Sequence, residues 1–363
     1  MTTSTSTPVR GERLRSLFVG RDQYVARLSL LLFALVLFFL VVKTQAFLRP
    51  NTWIAMGVTF PEFGIMALGV MLTMITGGID LSVVGIANMT SIVAALTMVA
   101  MVPGDGSVPP TVFLLAVGAS LALGALAGLV NGFLVAVVRI PAILVTLGTL
   151  ELYTGIAIVL TSGRPISGLP IEYSNTVAAR LGGVLPMQLV IFAVLAVAIG
   201  IVLHRTGFGT QLYMLGTNPT AAKFSGLGSV SLLLRTYMLS GLCASVAGLV
   251  MLANYNSAKA DYGVSYTLLT ILIVVLGGVN PNGGSGKIGG VVVAIIILQV
   301  LSSGLNLFPE VSNFYRPLIW GGVLLLVIST SERTGAGVLK RFRSRKKGAG
   351  HETRQEQAGS RRG

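Results

Sequence analysis

Met71-Leu72-Thr73-Met74-Ile75-Thr76-Gly77-Gly78-Ile79-Asp80-Leu81-Ser82-Val83 is the stretch whose reading decides the fold. It closes an apolar run that begins at Trp53 and opens another that runs from Ser82 to Val102. A helix needs roughly 20 consecutive apolar residues to cross a bilayer core about 30 Å thick, and both runs are long enough. Between them stand two glycines, which loosen a helix and let backbones approach each other, and a single acid, Asp80. Two bilayer-length runs joined by such a break are the pattern of a polytopic membrane protein.

The pattern continues in both directions. Leu28 to Leu48 precedes it, flanked by Arg27 and by Arg49-Pro50, with no small-residue cleavage site after it, so it reads as an uncleaved anchor rather than a signal peptide. Downstream come Thr111 to Val138, Ile143 to Thr161, Met187 to Leu203, Ser231 to Ala253, Thr267 to Gly278, Ile288 to Leu307 and Phe314 to Ser329. The Thr267 to Gly278 run is short for a crossing and reads as a re-entrant or buried segment. The expectation is an all-α membrane protein of about ten spans, eight at least, in two pseudo-repeated halves. Its predicted organisation is a basic N-terminal segment over residues 1–27, a membrane domain over 28–330 and a basic tail over 331–363.

Composition agrees. Of 363 residues, 53% are hydrophobic and 10% are charged, where a soluble domain carries about 25%. The net charge of +14 would hint at nucleic acid in a soluble protein, but its placement along the chain points elsewhere. With both termini inside, twenty of the 26 Lys and Arg residues fall on the inner side, many of them in the tail around Lys340-Arg341-Phe342-Arg343. Cytoplasmic loops carry such an excess, so the charge reads as an orientation signal touching anionic lipid, and no nucleic-acid partner is expected. Cys243, the single cysteine, reads as a small core residue, and His204 and His351 form no catalytic or metal constellation. No catalytic residue, cofactor or metal is expected.

The glycine break at Gly77-Gly78 has a counterpart 200 residues on, at Gly277-Gly278, also at the end of an apolar run. Paired glycine-interrupted segments are the sequence sign of an internally repeated transporter. Asp80 reads either as part of a capped helix start with Ser82 or as a functional carboxylate. Glu62 and Glu151 are the other acids at membrane depth. Thr146, Thr149 and Glu151, with Asn88, Asn131 and Asn306, either line a polar path or bond helices to one another.

The stretch His204 to Val230 is the longest inner connection before the tail. Within it, Gly216-Thr217-Asn218-Pro219-Thr220-Ala221-Ala222-Lys223-Phe224-Ser225-Gly226 predicts a short helix, with Thr217 or Asn218 as cap, Pro219 in the first position and Gly226 as stop. It reads either as a connector or as a docking element. Gly283-Gly284-Ser285-Gly286-Lys287-Ile288 resembles a phosphate loop at a glance, but Pro281 and Ile288 stand where that motif needs a glycine and a hydroxyl. The chain is not expected to hydrolyse ATP by itself.

Together these motifs resemble the permease subunits of bacterial ribose, galactose and autoinducer-2-type ABC importers. Thr76-Gly77-Gly78-Ile79-Asp80-Leu81-Ser82-Val83 is similar to one block of that family. Asn131-Gly132 with Arg139-Ile140-Pro141 and Val145-Thr146-Leu147-Gly148-Thr149-Leu150 is similar to a second. Thr161-Ser162-Gly163-Arg164-Pro165-Ile166 continues it, Gly216 to Gly226 looks like the cytoplasmic coupling segment, and Leu276-Gly277-Gly278 with Leu301-Ser302-Ser303-Gly304-Leu305-Asn306 looks like the C-terminal block. The chain departs from the family pattern at Val84, and its basic tail lies outside the family core.

The resemblance implies a bacterial inner-membrane subunit that moves a monosaccharide or similar polyol. It implies a second permease copy, identical or homologous, separate ABC ATPase subunits below, and a periplasmic or lipid-anchored substrate-binding protein above. It also assigns ATPase contact to Gly216, Thr217, Asn218, Pro219, Ala221, Ala222, Lys223, Ser225 and Gly226. The alternative expectation is an autonomous ion-coupled carrier or channel, suggested by the glycine breaks and the buried acids.

Overall fold

The computed structural model describes residues 23–102, 108–177 and 179–308, together with 310, 315, 318–322 and 325. The chain is helical almost throughout. In order come α1 (Gln23–Val42), α2 (Thr44–Phe47), α3 (Pro50–Ile75), α4 (Val83–Met101), α5 (Pro110–Ala136) and α6 (Ala142–Thr161). A connecting segment follows, with β1 (Ile166–Ser167), α7 (Ile171–Val177), β2 (Arg180–Leu181) and β3 (Leu185–Pro186). Then come α8 (Met187–Arg205), α9 (Gly207–Thr217), α10 (Pro219–Phe224), α11 (Ser229–Tyr255), β4 (Ser257–Ala258), α12 (Tyr266–Leu276) and α13 (Ile288–Leu305). The strands form two antiparallel two-stranded ladders, β1 with β4 and β2 with β3.

Among the described residues, 8 helices are long and apolar enough to cross a membrane: α1, α3, α4, α5, α6, α8, α11 and α13. Two of the ten runs expected from sequence do not join them. The run from Thr267 to Gly278 becomes α12, whose 11 residues are too few for a crossing, since at 1.5 Å per residue they cover about half a bilayer core. The run from Phe314 to Ser329 lies mostly outside the described residues, with 318–322 and 325 helical, and falls largely in a separate unit, Pro317–Gly363. The basic segments at residues 1–22 and 331–363 also lie outside them.

Three helices form the interior. The membrane windows of α3, α4 and α11 are 83%, 72% and 78% buried, against 11% for α1 and 22% for α8. α11 is the hub, packing most extensively against α5 and then against α3 and α4. Lipid is as apolar as leucine, so helices inside it associate by close packing rather than by escape from water, and small residues at the contact allow it. On α5, Gly124, Gly128 and Gly132 recur every fourth residue and share one face. A Cβ on Gly128 would overlap the backbone oxygen of Tyr237, one on Gly241 would overlap that of Gly124, and one on Gly132 would come within 3.0 Å of the Leu234 Cα. The order of these contacts makes α5 and α11 antiparallel. Gly248 stands in the same way against the Ala87 oxygen of α4.

The two glycine breaks are the same structural device. At the end of α3, the Gly77 and Gly78 N–H groups donate to the Met74 and Thr73 oxygens at 3.0 and 3.1 Å. At the end of α12, Gly278 and Val279 donate to Val275 and Val274 at 2.9 and 3.1 Å. Both are Schellman stops, and the residue that needs a left-handed backbone is Gly77 (φ 86°) in one and Gly278 (φ 83°) in the other. The structural equivalence is therefore offset by 201 residues, one more than the Gly-Gly match in sequence. Gly277 occupies the place of Thr76, with an ordinary helical backbone.

The glycine face of α5 yields a direct test. Gly128→Leu drives a side chain into the α11 backbone and is expected to destabilise the purified chain by about 1–3 kcal/mol or more. Gly118, on the same helix with open space around it, is expected to accept leucine with no shift. Thermal unfolding in detergent compares the two.

Candidate functional site

The coupling-type segment is built as its sequence predicts at one end and differs at the other. Asn218 caps α10, its side-chain oxygen accepting from the Ala221 N–H at 3.0 Å, and Pro219 takes the first helical position. Gly226 (φ 77°) closes the helix with Schellman bonds from Gly226 to Lys223 and from Leu227 to Ala222, both 3.1 Å. The preceding residues of this connection, for which the sequence predicts no helix, also form one, α9 (Gly207–Thr217), capped by Thr206 accepting from Gly209 at 3.3 Å. Its three glycines masked it, because glycine weakens helix propensity. Of the segment, Gly216 and Ala222 are buried while Thr217, Asn218, Pro219, Ala221, Lys223, Ser225 and Gly226 are exposed. Phe224 projects outward, 88% exposed.

Gly216 is buried against backbone alone. A Cβ there would overlap the Ile75 oxygen at the end of α3 and the Gly284 nitrogen in the turn before α13. Those two groups bond each other, Gly284 N–H donating to Ile75 O at 2.9 Å. A Cβ on Gly283 would sit 2.7 Å from the Gly77 nitrogen and 3.0 Å from the Gly216 oxygen. Tyr213 adds a hydroxyl bond to the Gly286 oxygen at 2.9 Å. Three segments distant in sequence, the ends of α3 and α9 and the 280–284 turn, thus meet main chain to main chain.

One turn further in, the connector between α3 and α4 carries Asp80, fully buried. Its Oδ1 accepts from Ser82 N–H at 3.0 Å and from Ser82 Oγ at 2.6 Å, and its Oδ2 accepts from Ser240 Oγ of α11 at 2.7 Å. Ser82 Oγ accepts in turn from Asn131 Nδ2 of α5 at 2.7 Å. The Tyr153 hydroxyl of α6 reaches Asn131 Oδ1 at 3.3 Å. Thr146 Oγ1 donates to the Ile79 oxygen at 2.9 Å. Burial pushes the Asp80 carboxyl up, and the donors from Ser82 and Ser240 pull it back down. Asp80, Ser82, Asn131 and Thr146 are therefore brought together, in one sealed network that ties the connector to α5, α6 and α11. Thr149 is buried beside it, within 3.5 Å of the Thr146 oxygen.

The remaining sequence candidates lie apart from this network. Asn88 donates to the Ala260 and Tyr262 oxygens at 2.9 and 2.8 Å, pinning the loop before α12. Asn306 is the C-cap of α13. Glu151 is exposed at the middle of α6, between Gly148 and Gly155, which have nothing within 4 Å of a Cβ. Glu62 is buried in α3, where its carboxylate accepts from Asn254 at 2.7 Å, Tyr255 at 2.9 Å and Tyr266 at 3.2 Å. Those partners carried no legible signal, because they come from residues about 190 to 200 positions away. The glycine ridge of α5, by contrast, was present in the sequence as a four-residue spacing.

A family described as the permease component of the branched-chain amino acid transport system matches residues 54–328. The ribose import permease protein RbsC of Escherichia coli (strain K12) is 36% identical over 269 residues, covering 73% of this chain and 80% of that protein. RbsC of Bacillus subtilis (strain 168) is 32% identical over 276 residues, covering 75% and 82%. The autoinducer 2 import system permease protein LsrD of Yersinia enterocolitica serotype O:8 / biotype 1B is 32% identical over 271 residues, covering 73% and 78%. A solved ABC transporter, described as inward-facing and of metal-chelate type, superposes with a TM-score of 0.49 at 15% identity, covering 85% of this chain and 99% of its own.

The Asp80 network is testable on stability alone. Ser240→Ala removes one donor and is expected to cost about 1–3 kcal/mol. Asp80→Ala strands the Ser82 and Ser240 hydroxyls and is expected to cost more. Asp80→Asn retains an acceptor and is expected to fall between wild type and Asp80→Ala in detergent thermal unfolding.

Proposed function

This chain belongs to the family described as the permease component of branched-chain amino acid transport systems, and on that premise we propose that it is the membrane subunit of an ATP-driven importer of a monosaccharide or similar small polyol. The relatives named for ribose and autoinducer 2 import support the sugar class. Hydrolysis falls to separate ATPase subunits that dock on α10. A substrate-binding protein delivers the sugar from the opposite face, and both termini of the permease lie on the cytoplasmic side. The observation that carries the coupling role is the backbone junction at Gly216.

The mechanics follow from that junction. An ATPase that grips the exposed Phe224 and the cap at Asn218 moves α10. No side chain lies between Gly216 and the Ile75 and Gly284 main chain, so the displacement has no flexible link in which to dissipate. It reaches α3 at its end and α13 through the 280–284 turn, shifting one interior and one flanking helix together. The path runs along the exposed face of α6, against a second permease copy. A carboxylate at mid-span is costly against lipid, so Glu151 belongs to a wet surface, and a carboxylate accepts hydroxyl hydrogen bonds from a polyol.

Reconstitution with the ATPase and binding-protein subunits of the same system tests the reading. ATP-dependent accumulation of a monosaccharide is expected. Uptake by the chain alone that a protonophore abolishes would instead identify an ion-coupled carrier, and accumulation of branched-chain amino acids without sugar would reject the substrate class. Within the complex, Phe224→Ala is expected to weaken ATPase binding roughly tenfold or more. Gly216→Val is expected to leave ATPase co-purification intact while lowering sugar uptake per ATP hydrolysed. Equal losses of both in the Gly216 variant would reject the transmission role.

A further inference from the structure

A recess of about 240 Å³ opens between α8 and α11. Leu195, Ala198 and Val202 form one wall, and Leu239, Leu242 and Val246 form the other. Leu72 of α3 and Leu121 of α5 complete the lining. Apart from the buried Cys243 thiol, every lining side chain is hydrocarbon. Protein interiors leave few voids larger than a water molecule, and a water needs polar partners that this recess does not offer. The recess is open at Ala198, which is exposed, so hydrocarbon from the surrounding membrane suits its lining where water does not.

The two walls share a feature at one end. Arg205 follows Val202 by one turn on α8, and Arg235 precedes Leu239 by one turn on α11, so each arginine continues its wall. α8 and α11 are consecutive spans joined by residues 206–228, hence antiparallel, which brings both arginines to the same membrane surface. Both are exposed, and neither guanidinium has a hydrogen-bond or ion-pair partner among the described residues. Neither helix carries an acidic residue. Hydrocarbon walls ending in two free guanidinium groups match a molecule with an acyl chain and a phosphate, since guanidinium pairs with phosphate in a fork geometry.

We infer that the α8–α11 recess seats an acyl chain of one anionic phospholipid, whose phosphate lies between Arg205 and Arg235. The site depends on the chain spanning a membrane and not on which substrate it carries. It is independent of the α10 coupling face and of the Glu151 face of α6. A lipid held there wedges α8 against the α11 hub from outside, and so adds contact to a helix that the protein itself buries poorly.

Native mass spectrometry of the full chain, extracted from vesicles of mixed phosphatidylglycerol and phosphatidylcholine, is the test. The expected result is one retained phosphatidylglycerol per chain, in preference to phosphatidylcholine. Arg205→Gln with Arg235→Gln is expected to lower that retention roughly tenfold or more, and Ala198→Phe, which fills the recess, to lower it as well. Val197→Phe, placed on an exposed part of α8 outside the recess, is expected to leave it unchanged. Equal retention of the two lipids, or unchanged retention in the double glutamine variant, would overturn the proposal. Disulfide-linked dimers of Leu239→Cys in a Cys243→Ser background would overturn it too, by assigning the recess to a second copy. The arginine substitutions are at the surface, so the outcome does not hinge on a variant that fails to fold.

Discussion

The structure depends on one constraint, that helices in lipid gain nothing by hiding leucine from leucine. What holds α5 to α11 is the approach of two backbones at positions where neither helix has a side chain. Gly128 beneath Tyr237 and Gly241 beneath Gly124 bring peptide dipoles and Cα atoms into contact that any methyl group would prevent. Because α11 also meets α3 and α4, this contact fixes the interior as a unit, and the weakly buried α1 and α8 are arranged around it. The same economy recurs at Gly216, where the absence of a Cβ turns three loop ends into one joint.

Polar groups inside this frame serve mainly to bond segments together. Asp80 accepts three hydrogen bonds, two from its own connector and one from α11, and Glu62 accepts three from α11 and α12. Both are supplied by neutral donors, which is how a carboxylate is kept in a place that water does not reach. Each acid thereby ties together elements that hydrophobicity alone would leave free to slide. Glu151 differs from both in standing on an exposed face, which separates it from the structural acids more sharply than its sequence context does.

Much of this is legible in the sequence. Seven long spans and the anchor are apolar runs of bilayer length, and the α10 helix announced itself through Asn218, Pro219 and Gly226, whose roles follow from local backbone geometry. What the residues did not disclose came from longer range or from weak local preference. α9 was hidden because its glycines, needed for contact with Leu203 and Ile75, are poor helix formers. The partners of Glu62 and Asn88 come from the segment 254–266, and no local pattern joins them. The pairing of the glycine breaks was visible, but its true register was not. Two adjacent glycines look alike in sequence, and only backbone dihedrals distinguish the one that turns left-handed.

The brevity of α12 has a hydrogen-bonding consequence. A full span places both ends of its dipole at the headgroups, where water and salt screen them. α12 reaches Glu62 only through the side-chain hydroxyl of its first residue, Tyr266, while Ser265 and Leu268 beside it are exposed. At the other end its C-terminal carbonyls are taken up by the Schellman bonds and by the Tyr24 hydroxyl on Leu276, 2.7 Å away. Glu62 is thus held by neutral side-chain donors, and not by the first N–H groups of α12, which bond the Gly263 and Val264 oxygens. A helix too short to reach a second membrane surface thus has its carbonyl end satisfied by the protein itself.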